Sequence, residues 1–214
     1  MTWFTEHFSE VLTLTGKHLY LAGVPLVLGL IIAIPLGWLA RRHKALYPPL
    51  IIGTGLLYTI PSLALFILMP VLIGTRILDP VNVVVAMTIY TVALLVRTVA
   101  DGLGAVPESV NQSATAMGFN RLRRLFTVEL PLAVPVIAAG LRVAAVSNVS
   151  IVSVAAIIGV PQLGSLFTDG FRRNFADPIV VGIVACVLLA LLFDLVIIGI
   201  TRLITPWQRI GKVA

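Results

Sequence analysis

The sequence predicts an all-α integral membrane protein with about five transmembrane helices. Hydrophobic residues make up 59% of the 214 and charged residues only 11%, whereas a water-soluble domain carries roughly a quarter charged residues. Apolar stretches such as residues 19–39 and 179–200 have about the 20 residues that a helix needs to cross a hydrocarbon core of roughly 30 Å. The mean hydropathy of +1.07 agrees with this class.

Apolar segments separated by polar ones predict the order of elements along the chain. Residues 1–18 hold two acids and no basic residue before Lys17, which predicts a short external amphipathic segment rather than a secretory signal. Residues 19–203 form the predicted membrane domain, and residues 204–214 a cytoplasmic tail. The predicted spans are residues 19–40, 48–73 with a break at Pro61, 81–100, 130–158 and 179–203, and the longer polar loops are 101–129 and 159–178.

The distribution of Lys and Arg predicts the orientation, because cytoplasmic loops of membrane proteins are enriched in both. One side carries few basic residues and several acids. The N-terminus is therefore predicted outside and the C-terminus inside. The basic side holds Arg41, Arg42, Lys44, Arg121, Arg123, Arg124, Arg202, Arg209 and Lys212, and the other side Lys17, Arg76, Arg172 and Arg173.

The cytoplasmic loop is predicted to be structured, with its core at residues 104–130. Pro107 suits the first turn of a helix, and Glu108 suits the positive end of the helix dipole. Gly118 fits the left-handed position that ends a helix, and Asn120 is a good N-cap for a second one. The pattern predicts two short helices joined at a glycine, with Leu122, Leu125, Phe126 and Glu129 on one face of the second helix.

This loop resembles the cytoplasmic signature of ABC importer permeases, which reads Glu-Ala-Ala, three residues, Gly, nine residues, Ile, one residue, Leu-Pro. The chain has Gln112-Ser113-Ala114, then Gly118, then Val128-Glu129-Leu130-Pro131 at the same spacing. Gln112 replaces the acidic residue of the signature, so an ion pair of that residue is not expected here. The resemblance implies that the loop couples the chain to a motor protein, through Gln112, Ser113, Ala114, Gly118, Arg121, Arg123, Arg124, Glu129, Leu130 and Pro131.

Two interpretations stay open for this loop. The segment is either the coupling element or an amphipathic connector on the bilayer surface, and its length, glycine and Leu-Pro favour coupling. The three arginines either pair with acids of the motor or follow the positive-inside rule.

Within the ABC importers, the chain resembles the permeases for osmoprotectants such as glycine betaine, choline, carnitine and proline betaine. The resemblance rests on residues 59–65 (TIPSLAL), 128–133 (VELPLA) and 139–142 (AGLR). It implies a type I importer permease in the bacterial inner membrane that is not itself an enzyme. It also implies an extracytoplasmic substrate-binding protein, a second permease chain, identical or related, and two ATPase subunits that carry ATP and Mg²⁺. The external stretch 159–164 departs from the family pattern, so docking of the binding protein is expected to differ.

Two alternatives remain: a permease of the same superfamily for another solute such as an amino acid, and an ion-coupled carrier. The chain lacks a glycine-rich phosphate loop followed by Lys and Ser or Thr, so ATP hydrolysis is expected on a partner. The sequence has no basic patch with interleaved aromatic residues, so binding of nucleic acid is not expected.

Polar residues inside the predicted spans are the candidate translocation residues, because such groups usually face a bundle interior or a cavity. Asp194 is predicted to pair with Arg97 or Arg142, either as a structural ion pair or with a part in transport. Pro61 predicts a kink and a candidate gate, with Thr59 or Ser62 satisfying the carbonyl it frees. In the fourth span Ser147, Asn148, Ser150 and Ser153 either line the path or make interhelical hydrogen bonds.

The small residues of the first span and the three histidines are predicted to have structural roles or surface positions. Gly29, Ala33 and Gly37 repeat every four residues in the first span, which indicates close helix packing. His7, His18 and His43 lack the spacing of a metal site and are expected at the surface, so no metal is expected on this chain.

Overall fold

The computed structural model describes residues 2–43 and 45–207, and its described residues contain helices but no strand. Predictions about Lys44, Arg209, Lys212 and the tail from residue 208 lie outside this part of the chain. In order, the helices are α1 (Thr2–Glu6), α2 (Phe8–Arg42), α3 (Tyr47–Thr59), α4 (Ser62–Ile73), α5 (Pro80–Gly104), α6 (Glu108–Ala116), α7 (Arg121–Arg124), α8 (Leu130–Val152), α9 (Gly164–Arg172) and α10 (Ala176–Ile204). A π turn (Leu125–Glu129) joins α7 to α8, and a 3₁₀ segment (Ser153–Ile158) extends α8.

Four helical segments of the described chain are long and apolar enough to cross a membrane: α2, α5, the segment Arg121–Ile158 around α8, and α10. A fifth span exists if α3 and α4 are taken together, although they meet at an angle of 102°. At 1.5 Å per residue, α3 and α4 are each about 20 Å long. Neither crosses a core of roughly 30 Å alone, so the pair forms a broken span or a re-entrant loop.

Helix α5 lies at the centre of the bundle, packed against α2, α8, α3 and α4. Ala86, Leu95 and Val99 on this helix are fully buried. A Cβ atom at Gly29 of α2 would lie 2.4 Å from Thr91 Cγ2, and one at Gly37 would lie 2.7 Å from Val99 Cβ. The packing role predicted for the small residues of the first span is therefore confirmed.

The helix of the first span begins well before residue 19. Helix α2 begins at Phe8 and runs without interruption to Arg42. Its 35 residues extend for about 52 Å, well beyond a hydrocarbon core of roughly 30 Å. Residues 8–18 thus continue the first span as helix instead of forming a separate segment.

The break at Pro61 is sharper than the predicted kink. Ile60 and Pro61 are both extended, with ψ near 130°, and Pro61 has no N–H to continue the helical ladder. The chain turns through a right angle there.

The second helix of the cytoplasmic loop is not separate from the fourth span. Helix α7 passes through the π turn directly into α8, with the Leu130 N–H donating to the Leu125 carbonyl. The prediction that Leu122, Leu125, Phe126 and Glu129 share a face is also wrong. Leu125 and Glu129 are buried, whereas Leu122 and Phe126 are exposed.

The predicted external loop 159–178 is also more ordered than a polar loop. It contains α9, and Val160, Gln162 and Leu163 are almost completely buried. Gly159 supplies the turn into this segment with φ 85°.

Candidate coupling site and membrane path

The turn between α6 and α7 has the local geometry that the sequence predicts. Helix α6 begins at Glu108, directly after Pro107. Gly118 has φ 82°, and the Phe119 N–H donates to the Ala114 carbonyl across the turn at 3.1 Å. The side chain of Asn120 accepts from the Arg123 N–H at 2.9 Å, so the predicted N-cap is confirmed.

The candidate coupling residues of α6 divide between surface and interior. Gln112 and Ser113 are exposed, whereas Ala114 is buried. Three large apolar side chains are exposed around the turn: Met117 (68%), Leu122 (59%) and Phe126 (62%). Neighbouring exposed apolar side chains on a polar segment are typical of a surface that binds a partner.

Arg124 holds the segment together internally. Its Nε donates to Glu129 Oε1 at 2.7 Å, and its Nη1 donates to Thr115 Oγ1 at 2.9 Å. Glu129 is largely buried, and the two bonds of Arg124 together tie α6 to the π turn that leads into α8. Arg123 instead lies over the Phe119 ring at 4.5 Å, and Arg121 is exposed.

Leu130 and Pro131 begin α8 at the end of the π turn, and both are partly buried. Proline at the first turn of a helix leaves no hydrogen bond unmade. The Leu-Pro pair thus marks the point where the π turn passes into the α-helical part of the fourth span.

At the elbow formed by Ile60 and Pro61, the backbone carbonyls have other hydrogen-bond partners than those predicted. The Thr59 hydroxyl donates to the Leu56 carbonyl at 2.7 Å, and the carbonyl that Pro61 would have bonded, that of Leu57, accepts from the Ile60 N–H at 3.3 Å. The Ile60 carbonyl in turn accepts from the Tyr90 hydroxyl of α5. Ser62 begins α4 beside this elbow.

The polar residues of α8 fall on two faces. Asn148 is buried, and its Nδ2 donates to the Ala22 carbonyl at 3.2 Å and to Thr91 Oγ1 at 3.0 Å. It therefore ties α8 to α2 and α5. Ser150 is exposed and Ser147 is partly exposed, on the opposite side of the helix. The Ser153 hydroxyl donates to the Ser150 carbonyl at 2.6 Å.

Asp194 of α10 pairs with Arg142 of α8 and not with Arg97. Arg142 Nε lies 2.5 Å from Asp194 Oδ1, and Nη2 lies 3.0 Å from Oδ2. Arg97 lies 3.6 Å from Asp101 on its own helix, with both side chains largely exposed. Arg142 and Asp194 therefore form an ion pair between two helices, whereas Arg97 makes only an exposed contact within its own helix.

The chain matches the family model described as the binding-protein-dependent transport system inner membrane component over residues 26–210. It belongs to this family. It is 36% identical over 207 residues to the osmoprotectant import permease protein OsmW of Salmonella typhimurium, which covers 95% of this chain and 96% of the relative. It is 31% identical over 206 residues to the glycine betaine/carnitine/choline transport system permease protein OpuCB of Bacillus subtilis, over 96% and 94% of the two chains.

Solved structures support the same fold. An inward-facing form of the MetNI methionine ABC transporter matches with a TM-score of 0.83 at 20% identity, covering 94% of this chain and 98% of the other. An amino acid ABC transporter matches with a TM-score of 0.74 at 16% identity, over 94% and 97%. The permease therefore has the type I importer fold, and the family expected from the loop spacing is confirmed.

His18 is the residue that sequence reasoning misplaced most. It is fully buried rather than at the surface. Its Nδ1 lies 3.0 Å from Gln162 Oε1, and its Nε2 lies 3.0 Å from the Val149 carbonyl. The periodicity of the permease's first span carried the signal, because Leu14, Leu21 and Pro25 at helical spacing from it are buried as well.

Gln162 is the centre of this network. It is fully buried, its Oε1 accepts from the Gly164 N–H at 2.5 Å, and its Nε2 donates to the Ser153 carbonyl at 3.1 Å. These backbone partners fix the orientation of the amide, so that its oxygen faces His18. The network joins α2, the end of α8 and the segment before α9.

Within residues 2–43 and 45–207, no three His, Cys, Asp or Glu side chains are grouped as a metal site requires.

Proposed function

We propose that the chain is the permease subunit of an ATP-driven importer for a compatible solute such as glycine betaine or choline. The observation that carries the proposal is the exposed turn at Gly118, held rigid by the Arg124–Glu129 pair, in a chain of this family. The solute class is supported by the names of the relatives, which are transport proteins for osmoprotectants.

The turn at Gly118 is proposed to receive the motor. Met117, Leu122 and Phe126 supply exposed apolar surface there, and Gln112, Ser113, Arg121 and Arg123 supply polar contacts around it. One ATPase subunit would bind each permease chain, so that two ATPase subunits carry the ATP and Mg²⁺. Closure of the ATPase pair would then move the permeases as rigid bodies between inward- and outward-facing states.

The turn at Gly118 then faces the cytoplasm of a bacterium, with the N-terminus outside and the C-terminus inside the inner membrane. The Lys and Arg distribution supports this orientation. The external side carries α1, α9 and a cavity of about 650 Å³ lined by Trp3, His7, Glu10, Asp169 and Arg172, among others. Its mixed charges suit the extracytoplasmic binding protein that delivers the solute.

The translocation path is proposed to lie between two permease chains. Ser147 and Ser150 lie on an exposed side of α8, and Arg142 and Asp194 remain partly exposed, at 45% and 23% of their side chains. Charges at membrane depth face protein or a water-filled cavity rather than lipid. A second permease chain would cover this face, and the elbow at Pro61 with Thr59 and Ser62 would form a gate.

Uptake into proteoliposomes tests the proposal. The chain is reconstituted with its co-expressed ATPase, and radiolabelled glycine betaine is supplied with its binding protein. We expect uptake that requires ATP and that is lost in Phe126→Glu, because a carboxylate replaces an apolar contact. Leu203→Glu, an exposed apolar residue (76%) at the end of α10, is the matched control and retains ATPase association.

Three results would contradict the proposal in different ways. ATP-dependent uptake of amino acids without uptake of betaine would move the chain to another solute. Uptake driven by an ion gradient without ATP would make it an ion-coupled carrier. ATPase association that persists in Phe126→Glu would remove the turn from the motor interface.

A further inference from the structure

A cavity of about 460 Å³ lies beside the coupling segment, where α2 ends. Trp38, Arg41 and Arg42 from the last turns of α2 line one side, and Asn111 and Arg121 line the other. Tryptophan is enriched where spanning helices leave the hydrocarbon, and Arg follows it on the polar side. The cavity therefore opens at the depth of lipid head groups.

The cavity holds an excess of positive charge. Four arginines line it, and of these only Arg124 has a salt bridge, to Glu129, among the described residues. Arg42 lies over the Trp38 ring at 5.3 Å, and the remaining carboxylate of the lining is Glu108. Arg41, Arg42 and Arg121 thus outnumber the acid left to balance them.

One residue of the lining, Asn111, has a buried acceptor without a partner. Asn111 Oδ1 is the one buried side-chain oxygen or nitrogen in residues 2–43 and 45–207 that has no hydrogen-bond partner. Buried polar atoms in folded proteins are nearly always bonded, so an isolated one calls for a donor that the described residues do not supply. An occupant of the cavity would have to bring both negative charge and a hydroxyl or amine donor.

We propose that this cavity binds the head group of phosphatidylglycerol. The phosphate would interact with Arg41 and Arg121, and a glycerol hydroxyl would donate to Asn111. A lipid suits the cavity better than a soluble anion, because the lining begins one turn inside the end of a spanning helix, and basic cavities at such positions bind anionic head groups. The site does not depend on the solute that the permease carries.

Lipid retention by the purified full-length chain tests the site. The chain is incubated in detergent with equal amounts of phosphatidylglycerol, phosphatidic acid and phosphatidylcholine, and bound lipids are counted by native mass spectrometry. The test variant is Arg41→Gln/Arg121→Gln. The control is Arg76→Gln/Arg172→Gln, which removes the same charge from exposed positions outside this cavity.

We expect the wild type and the control to retain phosphatidylglycerol over phosphatidylcholine. In the test variant this preference falls by roughly 30-fold, since each arginine near an anionic surface contributes about a factor of five. Asn111→Leu is expected to keep the preference over phosphatidylcholine and to lose the preference over phosphatidic acid, which has no glycerol hydroxyl. Unchanged size-exclusion profiles and helical circular dichroism show that each variant is folded.

Several outcomes would overturn the proposal. Equal losses in the test and control pairs would reduce the effect to overall charge. Displacement of the lipid by millimolar inorganic phosphate would make the site a general anion site. Loss of ATPase binding in Arg41→Gln/Arg121→Gln with lipid retention intact would assign the cavity to an acidic segment of the motor.

Discussion

Arg142 and Asp194 form a two-point ion pair between α8 and α10, with N···O distances of 2.5 and 3.0 Å. Arg142 lies 12 residues from the start of α8 and Asp194 lies 10 residues from the end of α10. At 1.5 Å per residue these distances are about 18 and 15 Å along the helices. The pair thus lies well inside both spanning helices, where an unpaired charge is costly.

Removing one member of this pair is expected to destabilise the chain more than removing both. Arg142→Gln leaves the Asp194 carboxylate uncompensated at membrane depth, whereas Arg142→Gln/Asp194→Asn leaves no charge behind. Thermal unfolding in detergent should therefore give a lower midpoint for the single variant than for the double variant. Arg97→Gln is the control, because its contact with Asp101 is exposed and 3.6 Å long. A double variant less stable than Arg142→Gln would contradict the argument.

Gly164 is expected to tolerate no side chain. A Cβ atom there would lie 2.2 Å from the Ser153 carbonyl oxygen and 2.9 Å from Gln162 Nε2. Gly164→Ala should lower stability by about 2–4 kcal/mol, in the range of overpacked or disrupted buried networks. Gly53 offers a matched control, since a Cβ there meets nothing within 4 Å. Gly53→Ala in the interior of α3 should raise stability by up to about 1 kcal/mol.

The stabilities of Gly164→Ala and Gly53→Ala are both measured by thermal unfolding followed by tryptophan fluorescence. If Gly164→Ala is as stable as the wild type, the segment before α9 is packed more loosely than the structure indicates. The backbone contact with Ser153 would then not constrain this position.

How much the sequence predicted depends on how local each feature is. The turn at Gly118 follows from residues within a few positions of each other, so its glycine and its Asn120 cap were predictable. The helical spacing of Leu14 and Leu21 marks the buried face on which His18 lies, but its contact with Gln162, 144 residues away, is in no local pattern. The bend at Pro61 is intermediate: proline marks its place, but Tyr90, 30 residues from Ile60, helps to hold its angle.

Replacing His18 is expected to destabilise the protein, because both ring nitrogens make contacts in the interior. In His18→Leu the Val149 carbonyl and Gln162 Oε1 lose their contacts with a ring that donates to one of them in its neutral form, and an unsatisfied buried group costs about 1–3 kcal/mol. We expect a total loss of roughly 2–5 kcal/mol and faster proteolysis of the segment before α9. His7→Leu is the control, because its bond goes to a carbonyl four residues away at a partly buried position. Equal protease sensitivity of the two variants would show that His18 does not hold that segment.

Arg124 is expected to act differently from Arg121, although both belong to one basic cluster. Arg124 bonds Glu129 and Thr115 and so fixes α6 against α8, whereas Arg121 makes no salt bridge among the described residues. Arg124→Gln should loosen α6 in hydrogen exchange even in the isolated permease, because the clamp is internal to the chain. Arg121→Gln should leave that exchange unchanged.

The two variants also separate rigidity from contact once the motor is present. In Arg124→Gln a mobile α6 should transmit less of the ATPase movement, so ATP hydrolysis should continue while uptake per ATP falls severalfold. If exchange in α6 is as slow in Arg124→Gln as in Arg121→Gln, the ion pair is dispensable for the shape of the turn. Rigidity would then have to come from the backbone bonds of the turn, such as the one from the Phe119 N–H to the Ala114 carbonyl.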